Sequence, residues 1–143
     1  MRYVICLMLF GLPTLAIPKG INWDESSVIK ADIDCDGMQD EISLGYIDKD
    51  FIVRAKVSSV SSSSSQLRFG LAQSGRQDAI CVDKAELVTF SAGSEMIAEV
   101  FGEIPEGYVV SSQCPELIID GGDCDSIHIF WDHRTNSLSW WRL

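Results

Sequence analysis

The residues Asp32-Ile33-Asp34-Cys35-Asp36-Gly37-Met38-Gln39-Asp40-Glu41 place carboxylates at alternate positions and a glycine where the run must turn. Calcium is a hard cation that takes roughly six to eight oxygen ligands at about 2.3 to 2.6 Å. This D-x-D-x-D-G-x-x-D spacing puts Asp32, Asp34 and Asp36 at loop positions one, three and five, the Met38 carbonyl at seven and Asp40 at nine. So much like charge in a short stretch is unfavourable unless a cation or full solvation offsets it. The expected chemistry is Ca2+ binding by Asp32, Asp34, Asp36, Met38 and Asp40, against the alternative of a solvated acidic turn. A second acidic stretch, Asp120-Gly121-Gly122-Asp123-Cys124-Asp125, lacks the alternation and is read as a hairpin turn tied by Cys124.

Other chemistries find less support. His128 and His133 are the only histidines. The chain has no G-x-S-x-G elbow, no H-E-x-x-H helix and no phosphate-cradling glycine loop. A glycosidase needs a pair of carboxylates facing a sugar cleft, and the acidic residues here sit mainly in loops. No catalytic residue is therefore nominated, and the chain is read as a binding protein rather than an enzyme.

Residues 1–16 run from a basic start at Arg2 through the apolar stretch Tyr3 to Phe10, a Gly11-Leu12-Pro13 break and the small-residue end Thr14-Leu15-Ala16. This is the layout of a secretory signal peptide, and the apolar stretch is too short for the roughly 20 residues of a membrane span. Cleavage would leave residues 17–143 as one β-rich domain starting at Ile17, without Cys6 and without a stable membrane anchor. The expected location is the periplasm or the extracellular medium. The formal charge is −10, one unit more negative once Arg2 is removed. That excess repels nucleic acid and attracts cations and basic proteins.

Cys35, Cys81, Cys114 and Cys124 remain, and an even count in an exported chain implies two disulfides. Three pairings are possible. The shorter loops favour Cys114 with Cys124 and Cys35 with Cys81. A zinc site has no C-x-x-C spacing to support it.

The elements that must carry these residues are strands. Phe51, Val53, Ala55 and Val57 alternate with Arg54 and Lys56, the period of a half-buried strand. Leu67, Phe69 and Leu71 repeat the pattern, and Ile42, Leu44 and Tyr46 precede the turn Asp48-Lys49-Asp50 as one arm of a hairpin. Further strands are predicted at Glu86 to Phe90, Ile97 to Phe101, Tyr108 to Ser111, Leu117 to Ile119, Ile127 to Trp131 and Leu138 to Arg142. A turn or two of helix is placed near Asp24 to Ile29 or around Asp83 to Glu86. Short, evenly spaced strands predict an all-β fold, a small antiparallel β-sandwich or barrel of about eight strands with two disulfides.

The serine-rich stretch 58–65 is read as a hairpin connection, the alternative being a loop that enters a partner's cleft. If Ile127, Ile129 and Trp131 face the core, His128 lies on the opposite face. Of Trp140 and Trp141, one packs inward while the other is exposed or covered by a loop. Edge packing and an aromatic anchor for a partner are the two roles considered for these tryptophans.

The loop Asp32 to Glu41 resembles the calcium loops of the EF-hand, dockerin and FG-GAP or VCBS families. An EF-hand needs a bidentate glutamate at position twelve, here Ser43, and flanking helices, whereas Ile42 to Ile47 reads as a strand. A loop running straight into a strand looks like the FG-GAP and VCBS type, in which the ion braces a β-turn, but those families repeat the motif around a propeller and this chain shows it once. In general build, and in the closing segment from Cys114-Pro115 through Asp120-Gly121 and Cys124-Asp125 to His128, Trp131 and His133, the chain is similar to periplasmic type-I lysozyme inhibitors and related immunity proteins. That resemblance implies a protein partner, a basic cell-wall hydrolase, without nominating any partner-binding residue. The FG-GAP and VCBS resemblance implies an adhesion or surface-assembly module instead.

Overall fold

The computed structural model describes residues 20–59, 64–91, 93–111 and 113–143. The signal-peptide segment 1–16, with Cys6, and the expected first mature residue Ile17 lie outside the described residues, as do residues 60–63 of the serine-rich stretch. The strands are β1 (Asn22–Ala31), β2 (Asp40–Ile47), β3 (Asp50–Lys56), β4 (Ser64–Gly70), β5 (Leu87–Phe90), β6 (Glu116–Ile119), β7 (Ile127–Asp132) and β8 (Ser137–Trp141), with one helix, α1 (Ser94–Phe101), between β5 and β6. They form two four-stranded antiparallel sheets, ordered β1-β2-β3-β4 and β5-β6-β7-β8. The fold is the expected small all-β sandwich.

Alternation explains the core. Phe51, Val53 and Ala55 of β3 are wholly buried, and Ile42 and Leu44 of β2 join them. From the other sheet come Leu117, Ile119, Ile127, Ile129, Trp131 and Leu138, so the two inner faces close over one apolar layer. Packing of β4 against β8 closes one side of the sandwich, with the Leu138 N–H donating to Ser65 Oγ at 2.8 Å. Strands β1 and β5 stand at the other edges of their sheets.

Several expectations are corrected. Asp24 to Ile29 belongs to β1 rather than to a helical turn, and Asp83 to Glu86 is irregular. The register of β1 against β2 jumps between Asp24 and Ile29, and this bulge breaks the alternation by which a strand is recognised. At the bulge Ser27 Oγ takes the Leu44 N–H at 2.8 Å, standing in for a backbone acceptor. The segment Ile97 to Phe101 is helical, within α1, not a strand. Ile97 and Phe101 are four residues apart, so both can lie on one side of a helix. Ile97 is wholly buried and Phe101 meets Trp141 edge-on at 5.4 Å. Gly102 ends the helix at φ 77°, its N–H reaching Ala98 O at 2.8 Å. Tyr108 to Ser111 forms no strand. It lies outside both sheets and packs the Tyr108 ring against Phe130 at 5.0 Å.

The disulfides join Cys35 to Cys114 and Cys81 to Cys124, with Cα separations of 5.3 and 5.4 Å. The pairing by shortest loops is wrong because Cys114 precedes β6 and Cys124 follows it. The extended strand holds them at opposite ends, beyond the roughly 7 Å Cα limit of a disulfide. Both bridges instead fasten distant parts of the chain. Gly121 O accepts the Cys81 N–H at 3.0 Å, so the acidic turn Asp120 to Asp125 is, as expected, a β6–β7 connection tied by Cys124.

Candidate functional site

The loop between β1 and β2 gathers Asp32, Asp34 and Asp40, with one carboxylate oxygen of each lying within 4.8 Å of the others. Local geometry builds the cluster. Cys35 at φ 63° and Gly37 at φ 86° reverse the chain. Asp32 then accepts the N–H groups of Asp36 at 3.0 Å and Gly37 at 2.9 Å. Asp34 Oδ1 accepts a second bond from Asp36 N at 3.2 Å.

Asp40, at the start of β2, is 1 % exposed. Its two oxygens accept the N–H groups of Ile33 at 3.1 Å and Ser58 at 2.8 Å, so it ties the loop to the β3–β4 connection. Burial raises the Asp40 carboxyl above its ordinary value, and the charges of Asp34 and Asp36 push the same way, against the two backbone donors. Such a carboxylate gains most from a nearby cation.

One acidic member of the predicted ligand set is not among the gathered carboxylates. Asp36 is outside the gathered trio and its Oδ1 accepts the Met38 N–H at 2.7 Å, closing a local turn. The serines read as a plain connection contribute instead: Ser59 Oγ donates to Asp34 Oδ2 at 2.5 Å, and Ser58 Oγ donates to Gln39 O at 3.1 Å. Nothing in a run of serines distinguishes these two. Only the approach of the β3–β4 connection to the acidic loop does.

The donor set suits a hard cation. Every ligand atom in the trio is a carboxylate oxygen, and each such oxygen keeps a second lone pair beside the hydrogen bond it already accepts. The Cys35–Cys114 disulfide anchors the loop to the segment before β6, and Cys35 Sγ also lies 3.9 Å from His133 Nε2.

A second polar group lies on the outer face of the β5–β8 sheet. Glu116 is 2 % exposed and accepts from the Tyr108 hydroxyl, while its other oxygen lies 3.3 Å from His128 Nδ1. Burial first, and Glu116 second, push the Tyr108 phenol far up, so it remains a donor. His128 does face away from the core, as expected, but it is buried, with its ring stacked on Trp141 at 3.8 Å. Trp140 packs inward, edge-on to Phe69 at 5.5 Å, and Trp141 is covered by Phe101. Neither tryptophan is displayed as an anchor. This group went unrecognised in the sequence; the signal that could have found it is the lone carboxylate Glu116 heading the apolar run Leu117-Ile118-Ile119.

Compared with family models, with curated proteins and with solved structures, the chain matches none. Among the described residues, no helix is long and apolar enough to cross a membrane.

Proposed function

We propose that this protein is an exported, non-enzymatic binding protein of the periplasm or extracellular medium, braced by calcium, that blocks a basic peptidoglycan hydrolase as an inhibitor or immunity protein. The observation that carries the metal part is the convergence of Asp32, Asp34 and Asp40 within 4.8 Å. Calcium there would bind the β1–β2 loop, the start of β2 and, through Ser58 and Ser59, the β3–β4 connection into one rigid end of the sandwich. The formal charge of −10 supports a cationic partner, since complementary charge speeds encounter and a rigid scaffold loses little entropy on docking.

Two assays test the two parts. Calcium added to chelator-treated protein should raise the melting temperature of the wild type and leave Asp34→Ala almost unchanged. Turbidity of a cell-wall suspension lysed by exported hydrolases of the source organism and its competitors should clear more slowly as the protein is added, most clearly at low salt. Unchanged lysis with every hydrolase would remove the inhibitor reading. The direct passage of the acidic loop into β2 favours the alternative, a calcium-braced adhesion or surface-assembly module of FG-GAP or VCBS type. That reading expects the domain to recur within larger surface proteins, whereas an inhibitor gene should neighbour that of an exported hydrolase.

A further inference from the structure

The sandwich is closed where β4 meets β8, but between the edge strands β1 and β5 it carries a groove of about 450 Å3. That volume falls in the range of small-ligand sites, roughly 300 to 1,000 Å3. Its apolar lining is Ile29, Leu44, Ala85 and Leu87, the last three buried. Its polar lining includes Asp24, Lys84 and Glu86. The β1 bulge shapes one wall. There Ser27 Oγ donates to Asp24 O at 2.6 Å, and Asp24 Oδ1 accepts from Ser26 N at 3.0 Å and Ser26 Oγ at 2.6 Å.

These bonds use one oxygen of Asp24. The Ser27 N–H and the Lys84 charge also favour its ionised form, while the Glu86 carboxylate has no hydrogen-bond or ion-pair partner among the described residues. Among the described residues, Lys84 is the one cation in the lining and offsets the two carboxylates in part. Among the described residues, the strand next to the groove, β5, pairs through only one of its edges, with β6.

We propose that this groove takes a lysine or arginine side chain presented on an extended segment of a cationic protein, its methylene stem over Leu44 and Leu87 and its charged head at Asp24 and Glu86. The chemistry is that of long basic side chains, which bury an apolar stem while keeping the charge at a wet, acidic mouth. The open edge of β5 offers backbone hydrogen bonds to the segment that carries the side chain. This deepens the proposed function by naming what the cationic partner presents, and it rests on that reading for the kind of partner only.

The test titrates the isotope-labelled processed protein with three short peptides, acetyl-Thr-Val-Lys-Val-Thr-amide and its arginine and glutamate counterparts, and follows amide chemical shifts. The lysine and arginine peptides should give saturable shifts at Ser27, Leu44, Lys84 and Leu87, with dissociation constants of order millimolar, and the glutamate peptide none. Glu86→Gln, a side chain without partners that the fold needs, should weaken binding roughly two- to fivefold, and Lys84→Ala should tighten it by a similar factor. Asp24→Asn should match Glu86→Gln if its spectrum shows the β1 bulge intact. No saturable shift up to about 10 mM basic peptide, equal shifts with the glutamate peptide, indifference to both Glu86→Gln and Lys84→Ala, or occupation of the groove by a second copy of the chain would each overturn the proposal. Peptide binding with unchanged cell-wall lysis would sink the hydrolase while leaving the groove assignment standing.

Discussion

Replacing Asp40 by alanine probes the acidic loop at its most buried point. The wild-type carboxylate satisfies the N–H groups of Ile33 and Ser58. The first of these bonds is fully buried and the second partly so. An unsatisfied buried donor costs about 1 to 3 kcal/mol, and water can reach the Ser58 end, so the two losses together amount to about 2 to 4 kcal/mol. Removing a charge that burial, Asp34 and Asp36 disfavour offsets part of that. The metal-free variant should therefore be less stable by about 2 to 3 kcal/mol, a large share of the roughly 5 to 15 kcal/mol of a typical domain. With a urea dependence of about 1 to 3 kcal/mol per molar, the unfolding midpoint should fall by roughly 1 to 2 M. Calcium at a hundredfold excess over its dissociation constant would add about 2.7 kcal/mol to the wild type and little to the variant, so the gap should widen to about 5 kcal/mol. Urea unfolding in chelator and in calcium, with wild type and Asp40→Ala side by side, measures both quantities. A variant midpoint equal to that of the wild type in chelator would refute the anchoring role of Asp40. Equal calcium stabilisation of both proteins would refute its role as a ligand.

Asp36→Ala should lose much less calcium response than Asp32→Ala or Asp34→Ala, because Asp36 stands outside the gathered carboxylates; melting with and without calcium checks this. Because the fold raises the Asp40 carboxyl, Asp40 binds its proton more readily folded than unfolded. Its contribution to the metal-free fold is then fully present below the ordinary value of 3.8 and is lost as pH rises through the raised one. Calcium must displace that proton, so calorimetric titrations should show affinity falling as pH drops from neutral into that window. Peptide mapping under non-reducing conditions should recover Cys35 with Cys114 and Cys81 with Cys124. Removing either bridge by paired Cys→Ala substitution should cost about 4 kcal/mol from loop closure over 79 or 43 residues. Tyr108→Phe removes a donor to the buried Glu116 and should destabilise by about 1 to 3 kcal/mol in urea unfolding, with no change in calcium affinity.

Local pattern alone determined most of the sandwich. Period-two alternation reports which side of a strand is dry and located β2, β3 and β4, while short segments evenly spaced between turn residues located β5, β6, β7 and β8. The acidic spacing at Asp32, Asp34 and Asp40 is equally local and was legible, as was the capacity of Cys35, Cys81, Cys114 and Cys124 for two disulfides. What failed locally were the places where another part of the chain sets the rule. Strand β1 hides because its bulge is held by Ser27 against Leu44 of the neighbouring strand. Helix α1 exists where Ile97 and Phe101 find the outer face of the second sheet to cover. The tertiary structure alone also decided that Asp36 caps the Met38 N–H outside the gathered carboxylates while Ser58 and Ser59 join the loop, that His128 finds Glu116, and that β1 and β5 leave a groove between them. It decided the disulfides too, for loop length measures only the entropy of bringing two cysteines together, while an extended β6 determines which of them can touch.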